Sequence, residues 1–181
     1  MSCVGKKKKG RIKFFLNQIK FEIRRINFKA ALIGGVCVLA GGLISFFAGG
    51  SPTYLFHMLK MPESLPTRWV FKLVWTLSYF LIGAAFSAVL SFRERCKELF
   101  TCRGNLLFVI MMLFNYIWYP LFFGAEAVFL AFVACAAMLI LDFFVACYYF
   151  KVSVICGSLM FLHLLWLLYM FWLNAAVLII N

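Results

Sequence analysis

The 181-residue chain is 66% hydrophobic and only 13% charged, with a formal net charge of +12. A soluble domain is about half apolar and about a quarter charged, so this composition excludes a soluble globular protein. It predicts an all-α polytopic membrane protein, in which any chemistry takes place among the helices or in the loops between them.

Five apolar runs are long enough to cross a bilayer, since about 20 helical residues span ~30 Å of hydrocarbon. Most of the charged residues fall in the breaks between these runs. The pattern predicts a five-helix transmembrane bundle over residues 30–181, preceded by a separate segment, residues 1–29. The predicted spans are roughly Ala30–Phe47, Trp69–Leu90, Leu106–Phe123, Ala127–Phe150 and Val154–Ile180.

The segment 1–29 is strongly basic and holds ten of the eighteen lysines and arginines. Its apolar residues recur every three or four positions, as they do on one face of a helix. This pattern is typical of a helix that lies on an anionic membrane surface, so we expect membrane lipids as partners and no nucleic acid. A basic extension that only fixes topology is an equally good interpretation. The predicted apolar face consists of Ile12, Phe15, Leu16, Ile19, Ile23 and Ile26.

The first span carries a stripe of small residues. Gly35, Gly42 and Gly49 are spaced by seven in the span, and small residues on one stripe let a second helix approach closely.

The following loop, residues 51–68, is long for a simple connection. Its prolines prevent a regular helix in its later part. We expect a lid over the helix ends, formed by Pro62, Pro66 and Trp69.

The distribution of cations predicts the orientation. The basic segment, the loop at residues 92–105 and the turn at Lys151 carry most of them, whereas the opposite side has only Lys60, Arg68 and Lys72. The positive-inside rule therefore places the N-terminus in the cytoplasm. The membrane is predicted to be a bacterial cell membrane or a mitochondrial outer membrane.

Three spans carry stripes that combine aromatic, polar and small residues at helical spacing. Polar groups are costly when they face lipid, so we expect the stripes to face inward and enclose an aromatic pocket. In the alternative interpretation, Asn115 and Asn174 are only interhelical ties worth ~1 kcal/mol each. The stripes are Trp75, Tyr79 and Gly83, then Met111, Asn115, Trp118 and Phe122, and finally His163, Trp166, Met170 and Asn174.

The titratable residues indicate no metal centre. Cys96 and Cys102 have five residues between them, which does not match the spacing of a zinc site. Asp142 is a lone acid within a span; it is either a functional group or a neutral, hydrogen-bonded acid at a helix contact. His163 is a weak candidate for an axial haem ligand, and an interior histidine held by a hydrogen bond is the other interpretation.

Three motifs in the second, third and fifth spans belong to one pattern. They are WVFxxVWTLxYxxxG from Trp69, NxxWxPxFFG from Asn115, and the pairs Trp166-Leu167 and Leu173-Asn174. Together they resemble the translocator protein family, also known as tryptophan-rich sensory proteins or the peripheral benzodiazepine receptor family. The resemblance covers residues 30–181.

This resemblance implies a five-helix bundle, often dimeric, that binds porphyrins and haem-like tetrapyrroles and needs no obligatory cofactor. The family's pocket residues match Trp75, Tyr79, Asn115 and Trp166. We therefore expect a homodimer that binds a tetrapyrrole or another flat hydrophobic molecule as a sensor, regulator or carrier. The alternatives are a haem-ligating protein that uses His163, a small transporter and a structural bundle. Some members of the family are also associated with light-dependent degradation of porphyrin, and for that chemistry the resemblance implies Trp75 and Trp166 as the candidate catalytic residues.

Overall fold

The computed structural model describes residues 2–50, 59–63, 65–95 and 98–181, and within these ranges it is helical and contains no strand. Residues 51–58, Cys96 and the side chain of Cys102 lie outside the described part, so the early loop and the cysteine pair stay predictions. The described α-helices are α1 (Ser2–Arg25), α2 (Phe28–Ala48), α3 (Arg68–Val89), α4 (Glu98–Tyr119), α5 (Val128–Val152) and α6 (Val154–Ile180).

Helices α2 to α6 form the predicted five-helix membrane bundle, which confirms the fold class. Each is long and apolar enough to cross a membrane. A 3₁₀ turn, Leu90–Arg95, prolongs α3, and a π-helical turn, Pro120–Gly124, prolongs α4. Fewer than half of the residues in every span are buried inside the protein, and the exposed ones include many large apolar side chains, as expected of a surface that contacts lipid.

Helices α2 and α3 approach each other closely because glycines, which have no side chain, lie where the two helices meet. A Cβ atom added to Gly35 would lie 2.7 Å from Phe80 Cδ2, and one added to Gly42 would overlap the ring of Tyr79. A Cβ atom on Gly83 would collide with the backbone oxygen of Gly34. The glycine stripe of the first span is therefore a packing surface, which agrees with the prediction from sequence.

Helices α5 and α6 are antiparallel neighbours joined by a single residue. Ser153 adopts an extended conformation (φ −151°, ψ 131°), and its Oγ accepts a hydrogen bond from Cys156 N at 3.3 Å. This side chain caps α6, since the first N–H groups of a helix have no partner inside it. The sharp connection fixes how the inward stripes of the two helices face each other.

The contact between α1 and the bundle centres on an acid. Glu22 is fully buried, and its Oε2 accepts hydrogen bonds from Ser153 Oγ at 2.7 Å and Ile155 N at 3.2 Å. Glu22 therefore adds a carboxylate to the N-terminus of α6, where negative charge is favourable. On the predicted apolar face, Ile19 and Ile26 are half-buried, whereas Phe15, Leu16 and Ile23 are exposed.

Candidate ligand site

Three indole rings meet between α3, α4 and α6. The centroids of Trp75 and Trp118 lie 5.6 Å apart with nearly parallel planes, at 22°. The ring of Trp166 stands at 90° to that of Trp75, with 6.1 Å between centroids. We call Trp75, Trp118 and Trp166 the indole cluster. Both geometries are favourable for aromatic pairs, which prefer offset stacked or edge-to-face arrangements.

Other aromatic rings surround the indole cluster. Tyr79 lies 5.2 Å from Trp75 and Phe122 lies 5.4 Å from Trp118, measured between centroids. The sequence analysis selected both residues, and the structure brings them to the cluster. It did not select Phe71, which touches Trp75 at 6.2 Å and Trp166 at 5.9 Å. The signal for Phe71 was available, because it precedes Trp75 by four residues and shares its helix face.

The indole N–H groups fall into two classes. Trp118 Nε1 donates to Asn174 Oδ1 at 3.2 Å, and Asn174 Nδ2 donates to the backbone oxygen of Met170 at 2.7 Å. The hydrogen-bonding groups of this α4–α6 pair therefore have partners. Trp75 Nε1 and Trp166 Nε1 are buried and have no hydrogen-bond partner among the described residues.

Asn115 is the third polar residue of the site, and only one of the two polar atoms of its side chain has a hydrogen-bond partner. Its Nδ2 donates to the backbone oxygen of Met111 at 3.1 Å, whereas its Oδ1 is buried without a partner in the described part of the chain. The hydroxyl of Tyr79 donates to the backbone oxygen of Asn115 at 3.3 Å and fixes the tyrosine ring beside it. Two indole donors and one amide acceptor thus stay unpaired. Each unpaired buried group is unfavourable by about 1–3 kcal/mol.

The sequence predicted an aromatic pocket, and the structure brings the rings of that pocket together as the indole cluster. Two grooves lie elsewhere on the bundle: one of about 490 Å³ runs beside Gly41 and Tyr116, and one of about 480 Å³ runs beside Phe143 and Phe161. Neither groove is lined by a residue of the indole cluster.

The later part of the predicted lid is held by the C-terminal end of α6. Lys60 N donates to Asn181 Oδ1 at 2.8 Å, and Asn181 Nδ2 donates back to Lys60 O at 3.0 Å. Leu59, Met61 and Leu65 pack against the core of the bundle. These contacts hold the loop over the helix ends.

The three predicted lid residues differ in position. Pro62 and Pro66 are half-buried in the loop, and Pro62 O accepts a hydrogen bond from Leu65 N at 3.0 Å. Trp69, at the start of α3, is 68% exposed. Trp69 thus lies outside the indole cluster, at a position suited to the membrane interface.

His163 was predicted to share the pocket with the tryptophans. Its polar contact is with Asp142 on α5, a helix that contributes no ring to the indole cluster. Its Nδ1 lies 3.4 Å from Asp142 Oδ1, and both side chains are fully buried. Met170 is also buried, and its carbonyl oxygen accepts the hydrogen bond from Asn174 Nδ2. In the part of the chain that the structure describes, no three His, Cys, Asp or Glu residues come together as metal ligands would.

The sequence profile of the TspO/MBR family matches residues 33–180. The chain belongs to the TspO/MBR family. This TspO/MBR protein is 26% identical over 146 residues to the tryptophan-rich protein TspO of Chlorobaculum tepidum. The aligned residues cover 81% of this chain and 91% of that protein. It is 29% identical over 118 residues to a tryptophan-rich sensory protein of Cereibacter sphaeroides, covering 64% of this chain and 69% of that protein. These matches confirm the family that the aromatic motifs indicated.

Proposed function

We propose that this TspO/MBR protein binds flat, conjugated hydrophobic molecules of the tetrapyrrole type at the indole cluster and acts as a sensor, regulator or carrier. The observation that carries the proposal is the set of unpaired polar atoms, Trp75 Nε1, Trp166 Nε1 and Asn115 Oδ1, buried among aromatic rings. A ligand with acceptors and donors on its rim would satisfy these atoms. A tetrapyrrole has carboxyl groups at its edge, which accept hydrogen bonds when ionised and donate one when protonated.

The aromatic rings supply the other part of the binding energy. Trp75 already stacks on Trp118 at 5.6 Å and 22°, so its face presents the geometry that a planar ligand needs. A ligand inserted beside Trp75 would replace one stacked pair with another, at little cost in packing. Each aromatic pair contributes about 0.5–1.5 kcal/mol beyond the burial of its area.

The difference between the indoles assigns their roles. Trp118 is fixed by Asn174 and forms the back wall of the site. Trp75 and Trp166 lack such a bond and are therefore the rings that move when a ligand enters. The name of the Cereibacter sphaeroides relative, a tryptophan-rich sensory protein, supports a sensor among the proposed roles.

A light-dependent porphyrin chemistry is the second candidate function. The observation that favours it is the contact between the rings of Trp75 and Trp166, at 6.1 Å, because indole is oxidised far more easily than the ring of phenylalanine. An excited porphyrin stacked on these rings would take an electron from indole, with dioxygen as the final oxidant. Trp75→Phe and Trp166→Phe should then keep most of the affinity and abolish bleaching of the bound porphyrin in light.

An absorption titration of the purified protein with protoporphyrin and with haem tests these functions. A shifted Soret band with saturation supports binding at a defined site. Split bands typical of low-spin haem would support ligation by His163, and bleaching under illumination would support the second candidate. If neither molecule shifts its spectrum or quenches tryptophan fluorescence, the proposed ligand class is wrong.

We also propose that the N-terminus faces the cytoplasm, in a bacterial cell membrane or a mitochondrial outer membrane. The cations support this orientation, because α1 and the α5–α6 turn with Lys151 lie at one end of the bundle, whereas Lys60, Arg68 and Lys72 lie at the other. Protease protection of a tag at the N-terminus tests it. Digestion of the tag from outside intact cells or organelles would contradict the orientation.

A further inference from the structure

A second buried polar group lies between α5 and α6, apart from the indole cluster. Asp142 Oδ1 and His163 Nδ1 are 3.4 Å apart, and both side chains are inaccessible to solvent. Neither the two carboxyl oxygens of Asp142 nor the two ring nitrogens of His163 have a hydrogen-bond partner among the described residues. Asp142 precedes the end of α5 by ten residues, or ~15 Å of helix, which is about half the hydrocarbon thickness.

The location of this pair limits its charge. A net charge is strongly unfavourable in the apolar interior, whereas a neutral pair is tolerated. A carboxyl and an imidazole are neutral together when they hold one proton between them, either as an ion pair or as two uncharged groups. Asp142 and His163 therefore bind a single proton at mid-membrane depth.

Two polar side chains lie between the pair and one side of the membrane. Tyr149 follows Asp142 by seven residues, so both side chains lie on the same buried face of α5. The hydroxyl of Tyr149 donates to Asn105 Oδ1 at 3.3 Å. Asn105 is half-buried near the start of the α4 span, at the end of the bundle where α1 lies. Asn105 and Tyr149 thus place hydrogen-bonding groups between that surface and the face of α5 that carries Asp142.

The polar route toward the lid is longer. In that direction, the next buried side chains of α5 are Met138, Cys135, Ala134 and Ala131, and those of α6 are Leu167, Met170, Leu173 and Asn174. Asn174 is the first amide among them; it lies eleven residues beyond His163, or ~16 Å of helix, and it is engaged by Trp118 Nε1 and Met170 O. Tyr149 lies only seven residues from Asp142, so the α1 side offers the shorter polar route.

Few other titratable groups face the pair. Toward the α1 side, the other buried titratable groups are Tyr149 on α5, Cys156 on α6 and Glu22 on α1, which hydrogen-bonds Ser153. The fully buried side chains of α3 and α4 include Ile82, Met111 and Trp118, and the buried Tyr79 hydroxyl is engaged with Asn115 O. Asp142 and His163 are consequently the dominant titratable groups in this part of the bundle.

We propose that Asp142 and His163 form an intramembrane proton-binding site that exchanges its proton with water on the α1 side, through Tyr149 and Asn105. Chains of buried acids and histidines serve as proton relays in membrane proteins. Because the shorter polar route leads to the α1 side, the site binds and releases its proton from that side. The site does not depend on the proposed ligand function.

Solid-state ¹⁵N NMR of the protein in lipid bilayers tests this proposal. The chain has two histidines, so His57→Gln leaves His163 as the one imidazole and makes its signals unambiguous. After transfer to D₂O, we expect the His163 ring proton to exchange much faster than the backbone amides of α5 and α6. Asp142→Asn should change the imidazole signals at neutral pH, because the shared proton loses its carboxyl partner.

Tyr149→Phe tests the path, and Tyr148→Phe is its matched control on the same helix. Loss of a hydroxyl relay should slow exchange at His163 by about tenfold in Tyr149→Phe and leave it unchanged in Tyr148→Phe. Exchange no faster than that of the amides would show a sealed structural pair and overturn the proposal. Equal rates in the two tyrosine variants would overturn the route.

Discussion

Trp118 Nε1 and Asn174 Oδ1 join α4 to α6 through a buried hydrogen bond of 3.2 Å. From sequence, Asn174 was either a pocket residue or an interhelical tie. The hydrogen bond makes it a tie next to the proposed site, since its Nδ2 is also engaged, by Met170 O. Its effect on ligand binding should therefore be indirect, through the position of Trp118.

Asn174→Ala is expected to destabilise the bundle by about 1–3 kcal/mol, because it leaves the N–H of Trp118 buried without an acceptor. Unfolding in a denaturing detergent, followed by circular dichroism, measures this change. The double variant Asn174→Ala with Trp118→Phe removes both partners and should be less destabilised than the two single changes added together. Additive effects would show that the hydrogen bond contributes nothing.

Glu22 should hold α1 on the bundle in a pH-dependent way. Burial raises the pKa of this carboxyl, but hydrogen bonds from Ser153 Oγ and the N–H groups of Ile155 and Val154 outweigh it and leave the pKa below its ordinary value. A lowered folded-state pKa means that the carboxylate stabilises docking above the ordinary glutamate pKa. The stabilisation is lost as the pH falls through the lowered value.

Glu22→Gln should therefore release α1 at neutral pH, where the parent protein is docked. Charge-assisted hydrogen bonds contribute about 1.5–3 kcal/mol, so trypsin cleavage after Lys20 and Arg24 should accelerate by about tenfold or more. Glu63→Gln, which changes an exposed acid in the lid, is the control and should cleave like the parent. Equal cleavage of all three proteins would contradict the role of Glu22.

Asn181→Ala should loosen the lid, since it removes both hydrogen bonds to the backbone of Lys60. Both the association and dissociation rates of protoporphyrin should rise by a few-fold, with a smaller change in affinity, because a looser lid speeds the entry and the exit of the ligand alike. Stopped-flow fluorescence measures these rates. Ile179→Ala, at an 84% exposed position, is the control, and rates equal to those of this variant would show that the lid does not limit entry.

Helical periodicity explains what the sequence could predict. Each span is a long apolar run, and residues three or four positions apart share a face wherever the helix forms. The inward positions of Trp75, Asn115 and Trp118 follow from this geometry within single helices. The packing role of Gly35 and Gly42 follows in the same way.

Relations between helices could not be predicted so directly. The pairing of Asp142 with His163 depends on the register of α5 against α6, which the one-residue turn at Ser153 sets and which neither helix shows alone. The ring geometry of the indole cluster depends on the rotamers of side chains from three helices. The contact of Glu22 with the bundle could have been predicted from sequence, because Glu22 is the one acid among residues 1–62 and interrupts an apolar face.

Binding of protoporphyrin to Trp75→Ala, Trp166→Ala and Trp172→Ala tests the central claim most directly. Trp172 lies on α6 and is 49% exposed, so it controls for the loss of a tryptophan outside the indole cluster. Loss of stacking and buried area at Trp75 or Trp166 should weaken binding by about tenfold or more, as ~1.4 kcal/mol corresponds to one decade. Trp172→Ala should bind like the parent. Folded Trp75→Ala and Trp166→Ala proteins with unchanged affinity would contradict the account and leave these tryptophans with a packing role alone.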